Sequence, residues 1–167
     1  MRGLVPPPLV VAAALAAGCA RGALEIPEGT QRMLRVRMLQ TESGRAAWEL
    51  EADQADIQEA SEEVRLERPV FRIHQKDRDT TRIQARTGRF RTDSHDIAFE
   101  GRVIAASLRD ATTLYTEALA YSMKDGRIWT DDPVRIVRPD GTVRGRGFTA
   151  KPDMSEMTIL KQEARIL

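Results

Sequence analysis

One cysteine, two histidines and 5% aromatics leave this 167-residue chain poor in the side chains most enzymes use. With Cys19 the only cysteine, an intramolecular disulfide is excluded. His74 follows an apolar run and His95 lies in a polar turn, so both are expected at the surface. Neither shares a helical or hairpin metal spacing with a second ligand, and no metal site is expected. The Gly145-Arg146-Gly147 stretch lies between β-like runs without the helix a phosphate loop requires. Asp53/Asp56 and Asp131/Asp132 are paired carboxylates that turn polarity accounts for. A nucleophile with its base and orienting acid cannot be assembled from this inventory, so no enzyme and no cofactor are expected.

Neither sign of charge dominates. The chain has 26 basic and 25 acidic residues. Without residues 1–18, which hold only Arg2, the balance is 25 against 25 (26 − 1). A neutral domain lacks the excess positive charge that binding to nucleic acid draws on. Long apolar runs are also missing. The longest, Leu9–Ala17 (LVVAAALAA), follows Pro6-Pro7-Pro8 and falls short of the ~20 residues a membrane-spanning helix needs.

A basic start, a short apolar core and small residues before a break instead describe a secretory signal over residues 1–18. The break, Leu15-Ala16-Ala17-Gly18-Cys19, resembles the bacterial lipobox, in which a peptidase cuts before a cysteine that then carries acyl chains. Ala16 stands where leucine is preferred. Cys19 is therefore expected to be lipidated; an incidental cysteine beside an ordinary cleavage site is the alternative. Residues 19–32 would form the lipidated cysteine and a tether, with Pro27 and Gly29 discouraging regular structure. Residues 33–167 are long enough for one domain.

From Met33 the apolar pattern has period two, the signature of strands. Leu34, Val36 and Met38 share one side, Arg35 and Arg37 the other. Ala46–Ala52 is expected as strand, although Ala-Trp-Glu-Leu-Glu-Ala could also open a helix. The pattern repeats about every thirty residues: Trp48–Ile73, Arg82–Ala105, Leu114–Val137 and, more loosely, Val143–Ile166. In the first three copies an alternating run meets a junction and resumes, at Pro69-Val70, Arg102-Val103 and Pro133-Val134. Such units stack because none can bury an apolar face alone. A proline or glycine at each junction predicts a bulge, and bulges curve a sheet. Thr92–Asp96, Lys124-Asp125-Gly126, Pro139-Asp140-Gly141 and, weakly, Lys151-Pro152-Asp153 mark turns. The last run, Met157–Leu167, is expected to be a strand with an open edge. The fold class expected is all-β: a twisted, partly open jellyroll of about four hairpin-like repeats.

The alternation places Val64, Leu66, Ile83, Phe99, Val103, Leu114, Ile128, Ile136 and Phe148 on one side. With so few aromatics, that lining is expected to be branched aliphatic. An ordinary closed sandwich core would give the same list.

Trp48-Glu-Leu-Glu-Ala, Phe99-Glu-Gly-Arg-Val, Leu114-Tyr-Thr-Glu-Ala-Leu-Ala-Tyr and Trp129-Thr-Asp-Asp-Pro-Val, with the signal-like start, resemble the LptC family over about Met33–Ile166. The resemblance implies a β-jellyroll in lipopolysaccharide export, with lipid A acyl chains passing through its apolar interior. Its implied partners are lipopolysaccharide, the LptB/LptF/LptG transporter complex at the N-terminal edge and LptA at the C-terminal edge. That last edge would comprise Met157, Ile159 and Ile166. The implied location is the periplasm, held here at a membrane through Cys19, the inner more readily than the outer. The family's usual transmembrane helix is replaced in this chain by the lipobox-like start. Two alternatives stay open: an LptA-like soluble bridge, and a docking lipoprotein with a closed, lipid-free core.

Overall fold

The computed structural model describes residues 29–58, 61–75 and 78–162. Within them the chain forms eleven strands and no helix: β1 (Thr30–Glu42), β2 (Arg45–Gln58), β3 (Glu63–Glu67), β4 (Val70–Gln75), β5 (Arg78–Gln84), β6 (Thr87–Arg91), β7 (Ile97–Ser107), β8 (Thr113–Ser122), β9 (Arg127–Arg138), β10 (Gly141–Ala150) and β11 (Met157–Gln162). Every pairing is antiparallel. The expected jellyroll is what forms, and β1 begins three residues ahead of the domain start placed at residue 33.

The sheet is folded into two leaves along one crease. In the first leaf, Trp48–Glu51 of β2 pair with β4, β4 with β5, and β5 with Ile104–Ser107 of β7. In the second, Gln54–Gln58 of β2 pair with β3, β3 with β6, and β6 with Ile97–Glu100 of β7. The long strands β1, β2, β7, β8, β9, β10 and β11 run through both leaves.

The crease follows from backbone chemistry at a row of positions. Left-handed φ values occur at Arg35 (54°), Arg68 (49°), Gly101 (77°), Arg102 (52°) and Gly147 (75°). The ladders shift at Glu100/Val103, Tyr115/Ala120 and Arg146/Phe148. Backbone bonds tie the row together: Arg68 N–H donates to Arg86 O (2.8 Å) and Arg86 N–H to Gly101 O (2.9 Å). Thr116 Oγ1 donates to Pro133 O (3.0 Å) across the gap between β8 and β9. The repeat junctions read from sequence are the points where each copy crosses this crease.

Crossing it can change which alternate residues face inward. In β2, Trp48, Leu50 and Ala52 are buried, then Ala55. In β1, the left-handed Arg35 breaks the expected Leu34/Val36/Met38 side. Val36 is buried and Met38 packs partly on the core, but Leu34 is 69% exposed. At Gly147 a Cβ would lie 2.9 Å from Leu160 Cδ1 and 3.1 Å from its Cβ, so only glycine lets β11 approach β10 at the fold line.

Ala46–Ala52 is strand as expected, within a β2 that continues to Gln58. Two further expectations are corrected. The paired carboxylates sit in strands rather than turns, Asp53 and Asp56 in β2 and Asp131 and Asp132 in β9. Charges meet the β2 pair there: Arg68 of the β3–β4 connection donates to Asp53 at the crease, and Arg32 of β1 forms a fork on Asp56 (2.7 and 2.8 Å). The interior is aromatic at its centre rather than purely aliphatic. Phe71 lies 5.7 Å from Trp48, 5.9 Å from Phe99 and 5.6 Å from Tyr121, all tilted, with Phe90 5.9 Å from Trp48. Few aromatics suffice for this because the two leaves bring most of them to one place.

Candidate functional site

The apolar space between the leaves is built from alternate residues of each strand. Ile83 of β5, Val103 of β7, Leu114 of β8 and Ile136 of β9 come from the first leaf. Val64 and Leu66 of β3, Phe99 of β7, Ile128 of β9 and Phe148 of β10 come from the second. All nine are buried in one cluster. Pleating makes this unavoidable: once the leaves face each other, every second side chain points between them. The sequence reading left out Leu50, Phe71, Ile97 and Met154, which are equally buried. Phe71 and Ile73 alternate in phase after Pro69 and could have been added on that signal.

The side of the interior away from the crease is crossed by a strap, residues 151–156, between β10 and β11. It leaves and rejoins the second leaf, where Ala150 pairs with both Ile128 and Met157. Midway it touches the first leaf, as Thr81 Oγ1 of β5 donates to Pro152 O at 2.6 Å. Arg109, in the β7–β8 connection, stands 3.5 Å from Asp153. Met154, left-handed at φ 55°, puts its side chain into the core with 1% exposure. Asp153 also accepts from Ser155 N–H (3.0 Å). Burial pushes the Asp153 carboxyl up, but the Ser155 bonds and the Arg109 charge outweigh it and hold the group below its ordinary value. Lys151-Pro152-Asp153, read as a weak turn, is thus the start of a closure between leaves. Nothing in its local pattern signals that Met154 is buried.

Most other polar groups near the interior have structural partners. His74 is in β4 and largely buried, contrary to the surface position expected, with Nδ1 2.6 Å from Asp79. Its Nε2 has no partner among the described residues. His95 is exposed in its turn, as expected. On the outer face, Glu49 lies against Arg37 (2.6 Å) and Arg72 (3.6 Å). Burial raises its carboxyl, yet the two guanidinium groups hold it below the usual value. Among the described residues no group of three or more His, Cys, Asp or Glu could hold a metal, and no helix is long and apolar enough to cross a membrane.

Among the described residues two strands pair on one side only: β1 pairs with β2 alone and β11 with β10 alone. Met157 and Ile159 of β11 pack their side chains partly on the core. What the edge offers outward is therefore mainly backbone N–H and C=O groups. Ile166 and Cys19 lie outside the described residues.

Comparison with known proteins agrees with this architecture. A solved structure described as LptH, the LptA homologous periplasmic component of the conserved lipopolysaccharide transport device from Pseudomonas aeruginosa, superposes with a TM-score of 0.54. That match has 14% identity and covers 67% of this chain and 80% of that one, which establishes the fold. No curated protein sequence matches the chain significantly. The family of lipopolysaccharide-assembly, LptC-related proteins matches residues 32–165, so the chain belongs to the LptC-related family.

Proposed function

We propose that this member of a lipopolysaccharide-assembly family carries the acyl chains of lipopolysaccharide between its two leaves in the periplasm. It receives the lipid at the β1 edge from the jellyroll of the LptB/LptF/LptG transporter. It releases the lipid at the β11 edge to an LptA-type protein, and the Cys19 thiol anchors it to a membrane. The observation that supports this reading is an apolar interior between strands that end, among the described residues, in two edges paired on one side only. Each methylene withdrawn from water is worth ~0.8 kcal/mol, so a carrier must offer apolar lining along the whole route. Edge-to-edge pairing continues that lining from one jellyroll into the next.

Photocrosslinking in cells tests the route, with a photoreactive phenylalanine at Phe99, fully buried, and a control at the exposed Arg65. Lipopolysaccharide adducts at Phe99 alone are expected. The packed, strapped interior favours one competing reading, a docking lipoprotein with a closed core. Absence of adducts at both positions in an exported, folded protein selects that alternative. Labelling with a palmitate analogue, lost in Cys19→Ser, tests the anchor separately.

A further inference from the structure

The strap is joined to the first leaf and the core by few contacts, and of its six residues only Met154 is buried. One neutral hydrogen bond (Thr81–Pro152), one long ion pair (Arg109–Asp153) and one buried methionine join it to the first leaf and the core. Beside the ion pair is a cavity of about 770 Å³, lined by Gln75, Arg78, Asp79, Thr80, Leu108, Arg109 and Asp153. Asp79 is engaged by His74. Arg78 has no carboxylate partner among the described residues, and Arg109 has only Asp153. Leu108, 52% exposed, adds an apolar surface to the same cavity. Two guanidinium groups, one without a carboxylate partner among the described residues, thus line the cavity beside the strap, the mouth of the apolar space on the reading above.

We infer that residues 151–156 are a displaceable plug, and that Arg109 and Arg78 form the site at which the phosphate of an acylated, phosphorylated glycolipid replaces Asp153. This rests on the reading that the interior takes acyl chains. Asp153 is a monoanion reaching one guanidinium at 3.5 Å, longer than a charge-assisted hydrogen bond. A phosphate monoester carries up to two charges and three acceptor oxygens, and can engage both arginines in bidentate fashion. Once Asp153 is released, the Thr81–Pro152 hydrogen bond and Met154 are the remaining ties. An acyl chain entering its place restores the contacts that Met154 gives up, since an unbranched thioether and a methylene chain have similar bulk and softness. The headgroup thus unlocks the mouth and the chains fill it, which keeps the interior shut to apolar molecules that lack the phosphate.

The test uses the full chain with a photoreactive phenylalanine at Phe99, and at Leu114 as an independent position. It is titrated with bisphosphorylated lipid A or with its dephosphorylated form in non-ionic detergent micelles. In the parent protein, half-maximal crosslinking is expected at about tenfold lower concentration for the phosphorylated lipid, the scale of one added charge-assisted contact. Asp153→Asn improves the dephosphorylated lipid and narrows the ratio. Arg109→Gln narrows the ratio, and Arg78→Gln/Arg109→Gln brings it to about one. Thr81→Val loosens the strap without touching the arginines, so both lipids improve and the ratio holds. A ratio unchanged in Arg109→Gln, or no gain for the dephosphorylated lipid in Asp153→Asn, overturns the plug while leaving the interior route standing. No adduct with either lipid in the parent protein removes the route and the plug together.

Discussion

Replacing Gly147 by alanine tests how the fold line holds the last strand. Gly147 has φ 75°, which costs a residue with a Cβ about 1–2 kcal/mol. The new Cβ would also meet Leu160 at 2.9 Å (Cδ1), 3.1 Å (Cγ) and 3.1 Å (Cβ), and crowding of this kind adds about 1–3 kcal/mol. Together these give a loss of about 2–5 kcal/mol in urea unfolding, a large part of the 5–15 kcal/mol typical of a domain. Leu160 is 65% exposed, so Leu160→Ala alone should cost little. It removes Cδ1 and Cγ from the clash but leaves Cβ at 3.1 Å, and leaves the φ penalty intact. The Gly147→Ala/Leu160→Ala double variant should therefore recover part, and only part, of the loss. Hydrogen exchange should show faster opening of the β10–β11 ladder from Phe148–Ile159 to Arg146–Lys161, with β2–β4 unaffected. A loss below ~0.5 kcal/mol, or a double variant no more stable than Gly147→Ala, would refute the close approach at the crease.

Phe71→Ala should destabilise by about 3–5 kcal/mol, because a fully buried ring touching three other aromatics leaves a cavity the leaves cannot close; a loss below 1.5 kcal/mol in the same assay contradicts the packed centre. Gly101→Arg meets φ 77° and Arg86 Cβ at 3.0 Å, so it should lower the melting temperature and disturb the crease, while Gly101→Ala should do so less. Glu49 and Asp56 both have carboxyls held below their ordinary values, Asp56 chiefly by the Arg32 hydrogen bonds. Groups depressed in the folded state stabilise it above their unfolded values, near pH 4, and lose that contribution as pH falls through the folded values. The Glu49→Gln/Asp56→Asn variant should accordingly be less stable at neutral pH and show a shallower decline below about pH 4; an unchanged acid profile refutes the assignment. Deleting Met157–Leu167 should abolish binding of an LptA-type partner and preserve binding to the transporter, as read by pull-down.

The period-two pattern made the all-β class legible, because pleating and burial on one face are local consequences of sequence. The nine interior residues were legible for the same reason. The junctions at Pro69, Gly101-Arg102 and Pro133 were visible as interruptions, but their alignment into one crease depends on the register of strands far apart in sequence. The same limit hid the pairing of Asp53 with Arg68 and the largely buried state of His74, since each is settled by a neighbour outside its own strand. It also hid the strap. Met154 lies among Pro, Asp and Ser, and only the second leaf's position behind Thr81 makes its burial favourable.

Both edge strands cross the crease. β1 pairs with β2 from Thr30–Leu34 on one leaf and Val36–Gln40 on the other, and β11 meets β10 on both sides of Gly147. From β1 to β11 the first leaf passes through β2, β4, β5, β7, β8, β9 and β10, eight successive pairings. At about 20–25° of twist per pairing, the outgoing edge is turned by about 160–200° from the incoming one. Jellyrolls joined edge to edge would then assemble as a screw, each mouth facing away from the one before it. A chain of such domains could span a gap without a straight seam, and its length would be counted in half-turns.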